Sequence, residues 1–199
     1  MHAIGITGSF GTGKTTVARL FARCGARIIN ADRLAHQIIK KGKPAYRKII
    51  SLFGQDILKS DGEINRARLA GKVFKSSSLV AKLNKIVHPE VIRQIKKDMA
   101  RARLKRQTVI IDVPLLIEAG LFNIVDKLIV VKASKANQMK RLKIRSGIPK
   151  AKIIQRIKAQ LPLKQKQRMA DFVVDNNGSL TYTKKQIIEI WGILDKEVK

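Results

Sequence analysis

Cysteine occurs once in this chain of 199 residues, tryptophan once, proline five times, and acidic residues only 14 times. A lone thiol, Cys24, excludes an internal disulfide framework. Its place on the apolar side of a helical pattern reads as packing rather than nucleophilic chemistry. No run of 18 apolar residues is present, and the apolar N-terminal stretch is broken by Gly5, Gly8 and Lys14. Neither a membrane span nor a secretory leader is therefore expected, which leaves the cytoplasm as the default location. Aromatic residues make up 5% of the chain, and no motif that stacks single-stranded bases is recognisable. Both absences weigh against nucleic-acid binding as the primary role. The scarcity of acids is the most informative one: 42 basic residues against 14 acidic ones give a formal net charge of +28. Between Lys127 and Ala170 there is no acid at all, while 14 lysines and arginines fill the same 44 positions. Such a segment can funnel phosphorylated substrates, grip RNA or DNA, or form a solvated face.

What the chain does contain is Gly8-Ser9-Phe10-Gly11-Thr12-Gly13-Lys14-Thr15, which meets every fixed position of G-x-x-x-x-G-K-[ST]. It follows a short apolar stretch, residues 2–7, and precedes a segment with Val17, Leu20, Phe21 and Cys24 at helical spacing. Phosphate chemistry requires this strand–loop–helix setting. Glycines let consecutive backbone N–H groups turn inward at the positive end of a helix dipole, which makes a cradle for phosphate oxygens. Lys14 supplies a mobile charge toward the β- and γ-phosphates, and the Thr15 hydroxyl is in place for a magnesium ion that bridges them. A dinucleotide-binding loop is the rival reading, because Gly11-x-Gly13 precedes a helix and Asp32 follows about 20 residues later. Thr16 stands where that motif has its third glycine, and Lys14-Thr15 would serve no purpose in it.

Apolar, β-branched runs recur at 26–30, 108–113, 128–131 and 172–174, and with the N-terminal strand they make five. Helical patterns separate them. The fold class expected is α/β, a parallel five-stranded sheet flanked by helices, as one domain with its core at about 1–33, 107–134 and 170–199. Residues 34–106 read as a helical insertion for a second substrate. Its helices are expected near 32–40, 44–53, 66–74 and 79–86, with another starting at Pro89 and a polar turn at 60–62. Residues 135–169 read as a helical lid broken near 147–149. In such sheets ligands sit beyond the carboxyl ends of the strands, where the phosphate loop, Asp32, Asp112 and Pro114 emerge. Asp32 suits a general base for an attacking hydroxyl, but it also suits the N-cap of its helix. Asp112 is in place for a water-mediated magnesium contact or for capping the next turn. His88 would cap or pack at a helix start with Pro89 in its first turn.

The loop, Asn30-Ala31-Asp32, Arg66-x-x-Leu69 with Val73-Phe74, His88-Pro89 and Pro114-Leu115-Leu116-Ile117-Glu118 resemble, in order and spacing, the dephospho-coenzyme A kinases. The resemblance continues through Gln138-Met139-Lys140-Arg141, Arg145, Arg156, Gln160, Lys164, 168–171 and 176–178, and so spans nearly the whole chain. It implies transfer of the ATP γ-phosphoryl group, with Mg²⁺, to the ribose 3′-hydroxyl of dephospho-coenzyme A. Asp32 then matches the catalytic aspartate, with Lys14 and Arg141 acting on the transferring group. Gly8, Gly11, Thr12, Gly13, Lys14, Thr15, Thr16, Arg145 and Asn177 fall to ATP. Asp32, Arg66, His88, Pro89, Pro114, Leu115 and Glu118 fall to the acceptor, and Glu118 alternatively pairs with a lid arginine. The chain departs from the family pattern at Ser9, where glycine is usual, at Asn30, where aspartate is usual, and in its basicity. That last departure leaves a nucleic-acid side role open, and the alternative function from another class is a phosphate-loop NTPase that binds nucleic acid through its basic segment 127–170. A kinase acting on another nucleotide-like acceptor is the alternative within the same class.

Overall fold

The computed structural model describes residues 2–113, 116–118, 120–146 and 149–196, except for the side chains of residues 145, 146, 150, 152 and 156. The chain divides into two compact units, Met1–Ile29 with Met99–Lys199, and Asn30–Asp98. Five strands, β1 (Ala3–Gly8), β2 (Arg27–Asn30), β3 (Val109–Asp112), β4 (Lys127–Lys132) and β5 (Phe172–Asp175), form a parallel sheet in the order β2-β3-β1-β4-β5. Ile4 of β1 lies beside Ile110 of β3 and Lys127 of β4, and Lys132 of β4 beside Asp175 of β5. All six residues of β1 and all four of β3 are buried, whereas the outer strands β2 and β5 are only partly so. Helices covering both faces explain why the inner strands read as continuous apolar runs rather than alternating ones.

Helices α1 (Lys14–Arg23) and α9 (Leu180–Lys196) supply the core on one face, where Val17, Leu20, Phe21, Ile187, Ile190 and Leu194 pack against Ile4, Ile6, Ile110, Ile129 and Val131. Phe21 is fully buried, with its ring tilted 52° to that of Trp191 at 6.3 Å. Burial of such a side chain stabilises the unit by roughly 2–3 kcal/mol. Trp191 is thus a packing residue.

The Asn30–Asp98 unit holds α2 (Ala31–Ile38), α3 (Pro44–Phe53), α4 (Arg66–Val73) and most of α5 (Ser77–Leu104). Ile49, Phe53, Ile57, Ile64, Leu69 and Val73 form its core, against which Leu79, Val80, Leu83, Ile86 and Val87 of α5 pack. Asn65 caps α4 by accepting from the N–H groups of Ala67 and Arg68 at 3.1 and 3.2 Å. The polar turn expected at 60–62 is there: the Lys59 backbone N–H donates to the Glu63 carbonyl at 2.9 Å, and Gly62 takes a positive φ of 80°.

Two expectations are corrected. The helix of Asp32 is capped not by Asp32 but by Asn30, whose Oδ1 accepts from Arg33 N–H at 2.8 Å, and it ends at Ile38. Pro89 does not open a helix either, because α5 runs unbroken through it. The apolar stripe of Leu79, Leu83 and Val87 continues in step through Val91, Ile95 and Ala102, while Pro89 itself is exposed. Burial of that stripe outweighs the hydrogen bond that proline withholds from the Lys85 carbonyl. Replacing Pro89 by Ala restores the donor on an exposed turn, so denaturant unfolding is expected to show stabilisation of about 1–3 kcal/mol. A destabilised Pro89→Ala protein would show that the ring is needed for packing.

Candidate active site

The phosphate loop leaves the carboxyl end of β1 and enters α1 at Lys14. Gly13 takes φ 92° and precedes a helix with no side-chain cap and no acid in its first turn. The amides at this end are therefore not taken by a capping side chain, as an anion-binding helix start requires. Two glycines are required by space as well as by backbone angle. A Cβ on Gly13 would lie 2.1 Å from Asn176 Nδ2, and one on Gly11, at φ 83°, would lie 2.7 Å from Leu142 Cδ1. Lys14 folds back over the loop, its Nζ donating to the carbonyls of Gly8 and Ser9 at 3.1 Å each. Thr12 is fully buried, and its hydroxyl donates to the Ser9 carbonyl at 2.9 Å. Thr15 stands in the first turn of α1 beside the exposed Thr16.

A loop whose N–H groups turn inward must present carbonyls outward, and the Thr12 carbonyl is held from outside the loop. The Thr12 carbonyl accepts from Arg141 Nη1 at 3.2 Å and from Asn176 Nδ2 at 2.8 Å. Arg141 belongs to α6 (Lys135–Ser146) and also donates to the Asn176 carbonyl. Asn176 follows β5, is 6% exposed, and accepts from the buried Thr183 hydroxyl at 3.0 Å. Beyond α6 lie α7 (Lys150–Lys158) and α8 (Leu163–Arg168), with Gln160 between them accepting from Phe10 N–H at 2.8 Å. Arg141, singled out as catalytic, thus grips the phosphate loop itself.

Among the remaining expected residues of this unit, Asp112 ends β3, buried and in register with Ile6. Asn177 is exposed and engaged locally: its Oδ1 accepts from Ser134 N–H at 2.6 Å, and its own N–H donates to Asp175 at 2.9 Å. Glu118 meets a lid lysine rather than a lid arginine, pairing with Lys166 Nζ at 2.6 Å and accepting from Leu161 N–H at 3.0 Å. Lys166 is fully buried. Burial pushes the Glu118 carboxyl upward, but the Lys166 ammonium and the backbone N–H groups outweigh it and hold its pKa below the ordinary value. Pro114 and Leu115 lie outside the described residues, as do the side chains of Arg145 and Arg156.

In the Asn30–Asp98 unit, Asp32 is exposed in the first turn of α2 and released from capping by Asn30. Arg66 opens α4 and lines a cavity of about 370 Å³ with His36, Ile39, Lys40, Lys59, Glu63 and Ile64. Burial and the Arg66 charge lower the His36 pKa, and Asp32 opposes them. His88 and Pro89 are exposed on α5.

The sequence pattern of dephospho-CoA kinase matches residues 2–182. The chain belongs to the dephospho-CoA kinase family. A dephospho-CoA kinase from Carboxydothermus hydrogenoformans is 42% identical over 193 residues, covering 94% of this chain and 91% of its own. A Thermus thermophilus protein of known structure superposes with a TM-score of 0.83 at 28% identity, covering 98% of each chain. The dephospho-CoA kinase of Campylobacter jejuni does so with 0.75 at 25%, covering 99% of this chain and 98% of its own. Among the described residues no helix is long and apolar enough to cross a membrane, and no group of three His, Cys, Asp or Glu is placed to hold a metal.

Within 176–178, to which family likeness pointed, Asn176 is the residue that touches the loop. Nothing in the sequence singled out Lys166 from the basic residues around it. Its ion pair yields a stability test. Glu118→Ala strands a buried ammonium and is expected to cost on the order of 3 kcal/mol at neutral pH, whereas Lys166→Met, which removes the charge, is expected to cost less. Because the folded Glu118 pKa is lowered, the pair contributes fully above the ordinary carboxylate range. That contribution fades as pH falls through the lowered value, so the Glu118→Ala penalty should shrink below about pH 4. Denaturant titrations at both pH values check this, and equal penalties for the two variants would show that the charge is not the issue.

Proposed function

We propose that the chain transfers the γ-phosphoryl group of ATP to the ribose 3′-hydroxyl of dephospho-coenzyme A, giving coenzyme A and ADP, the last step of coenzyme A biosynthesis. The observation that carries this reading is a family match that takes in both the phosphate loop and the Asn30–Asp98 unit in one continuous span. In this reading the loop from Gly8 to Thr16 holds the triphosphate, residues 34–106 receive the acceptor, and residues 135–169 act as the lid. Asp32 accepts the proton of the 3′-hydroxyl as its oxygen bonds to the γ-phosphorus and the bond to the β-γ bridging oxygen breaks. Lys14, stationed over the loop by the Gly8 and Ser9 carbonyls, takes up charge on the phosphoryl oxygens. The donor set suits Mg²⁺: a Thr15 hydroxyl at a helix start and a buried Asp112 at the end of β3 match a small cation that takes its other ligands from phosphates and water. When bound, that ion screens charge on the β- and γ-phosphates. Arg145, Arg156 and Arg168 keep water from competing with the hydroxyl.

The cationic lining of the 370 Å³ cavity, with Lys40, Lys59 and Arg66 against the single acid Glu63, supports an anionic acceptor. Arg66 contributes there directly, and His88, Pro89, Pro114, Leu115 and Glu118 stand as further acceptor contacts by family likeness.

ADP release from ATP and magnesium is expected to rise with dephospho-coenzyme A and not with nucleoside monophosphates or water alone. No stimulation by dephospho-coenzyme A would sink the assignment. Since Asp32 is not the cap of its helix, Asp32→Asn is expected to leave ATP binding and thermal stability nearly intact while kcat falls on the order of 10²-fold or more. Wild-type turnover in that variant would remove Asp32 from the chemistry.

A further inference from the structure

Ser9 and Phe10 share one peptide plane, and its two ends have different partners. On one side the Phe10 N–H points to Gln160 Oε1 at 2.8 Å. On the other, the Ser9 carbonyl accepts from Thr12 N–H at 3.3 Å, from the Thr12 hydroxyl at 2.9 Å and from Lys14 Nζ at 3.1 Å. A trans peptide directs its N–H and C=O in opposite directions, so whatever holds the first aims the second. The group facing Gln160 is a donor only, which assigns the side-chain atom as the carbonyl oxygen and leaves no choice of flip.

Gln160 is itself held in place. It lies two residues beyond the end of α7, where its N–H donates to the Ile157 carbonyl at 3.2 Å. The next residue, Leu161, gives its N–H to Glu118, and Glu118 is fastened to the buried Lys166 of α8. The return segment of the basic excursion is therefore pinned at residues 161 and 166 on one side of Gln160, with α7 on the other. Neither the loop pattern nor the ion pair by itself calls for a glutamine reaching across 150 positions to a backbone amide.

We infer that Gln160 is a positioning residue for Lys14: by fixing the Ser9–Phe10 peptide it aims the Ser9 carbonyl that braces the phosphate loop and holds the lysine ammonium at the nucleotide site. The role rests on the phosphate loop binding ATP, and it is independent of which acceptor follows. Loss of the acceptor oxygen lets the peptide rotate and takes the Ser9 carbonyl away from Lys14, so the effect falls on nucleotide binding and on Phe10 rather than on global stability.

The test uses the full chain without acceptor, with ATP as probe, and compares wild type, Gln160→Met and Gln160→Glu. Methionine keeps the length and removes the acceptor, whereas glutamate keeps an acceptor oxygen. Amide hydrogen exchange at Phe10 in the ligand-free protein is expected to speed up about 10-fold in Gln160→Met and to stay near wild type in Gln160→Glu. Equilibrium titration should show ATP binding weakened roughly 3- to 10-fold in Gln160→Met, the size of one hydrogen bond, with thermal unfolding little changed. Unchanged Phe10 exchange in a folded Gln160→Met protein, or unchanged ATP affinity, overturns the proposal. So does equal faster exchange in both variants, which would show that size or charge rather than the acceptor oxygen matters. Should Gln160→Met fail to fold, Gln160→Ser, which is too short to reach Phe10, is read by the same exchange and titration. Failure of wild type to bind ATP would instead strike the functional reading.

Discussion

The phosphate loop works only if its backbone carbonyls have somewhere else to go. Turning successive N–H groups toward an anion forces the opposite ends of the same peptides outward, and a buried carbonyl without a donor costs about as much as a lost hydrogen bond. The carbonyl of Thr12 lies where no helix or strand can serve it, and Arg141 and Asn176 reach it from α6 and from the end of β5. That requirement explains the crowding at Gly13, where any side chain would displace the Asn176 amide. It also explains why a polar side chain as buried as Asn176 is tolerated: its oxygen is taken by Thr183, its nitrogen by Thr12, and its backbone carbonyl by Arg141. The sheet contributes the register that makes this geometry available, since β1, β4 and β5 run parallel and end together beside the loop.

Local signals carried most of the fold. Strands β1, β3 and β4 stand out because burial on both faces demands β-branched apolar runs, and the loop stands out because its chemistry is confined to eight consecutive residues. Where a local signal competed with a longer-range pattern, the pattern prevailed. Pro89 marks a helix start by itself, yet the stripe from Leu79 to Ala102 holds a single helix through it. Asp32 is an excellent cap by residue type, but Asn30 sits two residues earlier, where the chain leaves β2, and takes the role.

The clamp around the loop was far less visible for a physical reason. Its contacts join positions 150 and 164 apart in sequence, and they use residue types that carry no periodicity of their own. An asparagine beside another asparagine, or a glutamine at a helix end, has no property in the sequence that separates loop binding from surface solvation. Lys166 is the extreme case. It is fully buried, and yet as one of the 14 lysines and arginines of an acid-free segment it looks like its neighbours. Among the described residues the carboxylate that reaches it, Glu118, distinguishes it, and that partner lies before β4.

These cations are handled in two different ways, and the difference follows what each is for. Lys166 is neutralised: a carboxylate at 2.6 Å cancels its charge, as burial away from water requires, and the result is a structural anchor. Arg141 donates instead to two main-chain carbonyls, those of Thr12 and Asn176. Carbonyl dipoles orient a cation without cancelling it, so the guanidinium that grips the loop still contributes a full positive charge to the field there. A segment without acids makes that outcome easy to reach, because the polar groups nearest to hand are main-chain oxygens rather than carboxylates. The deficit of acids noted in the composition is thus, at Arg141, a means of holding a basic side chain in place while keeping its charge for an incoming polyphosphate.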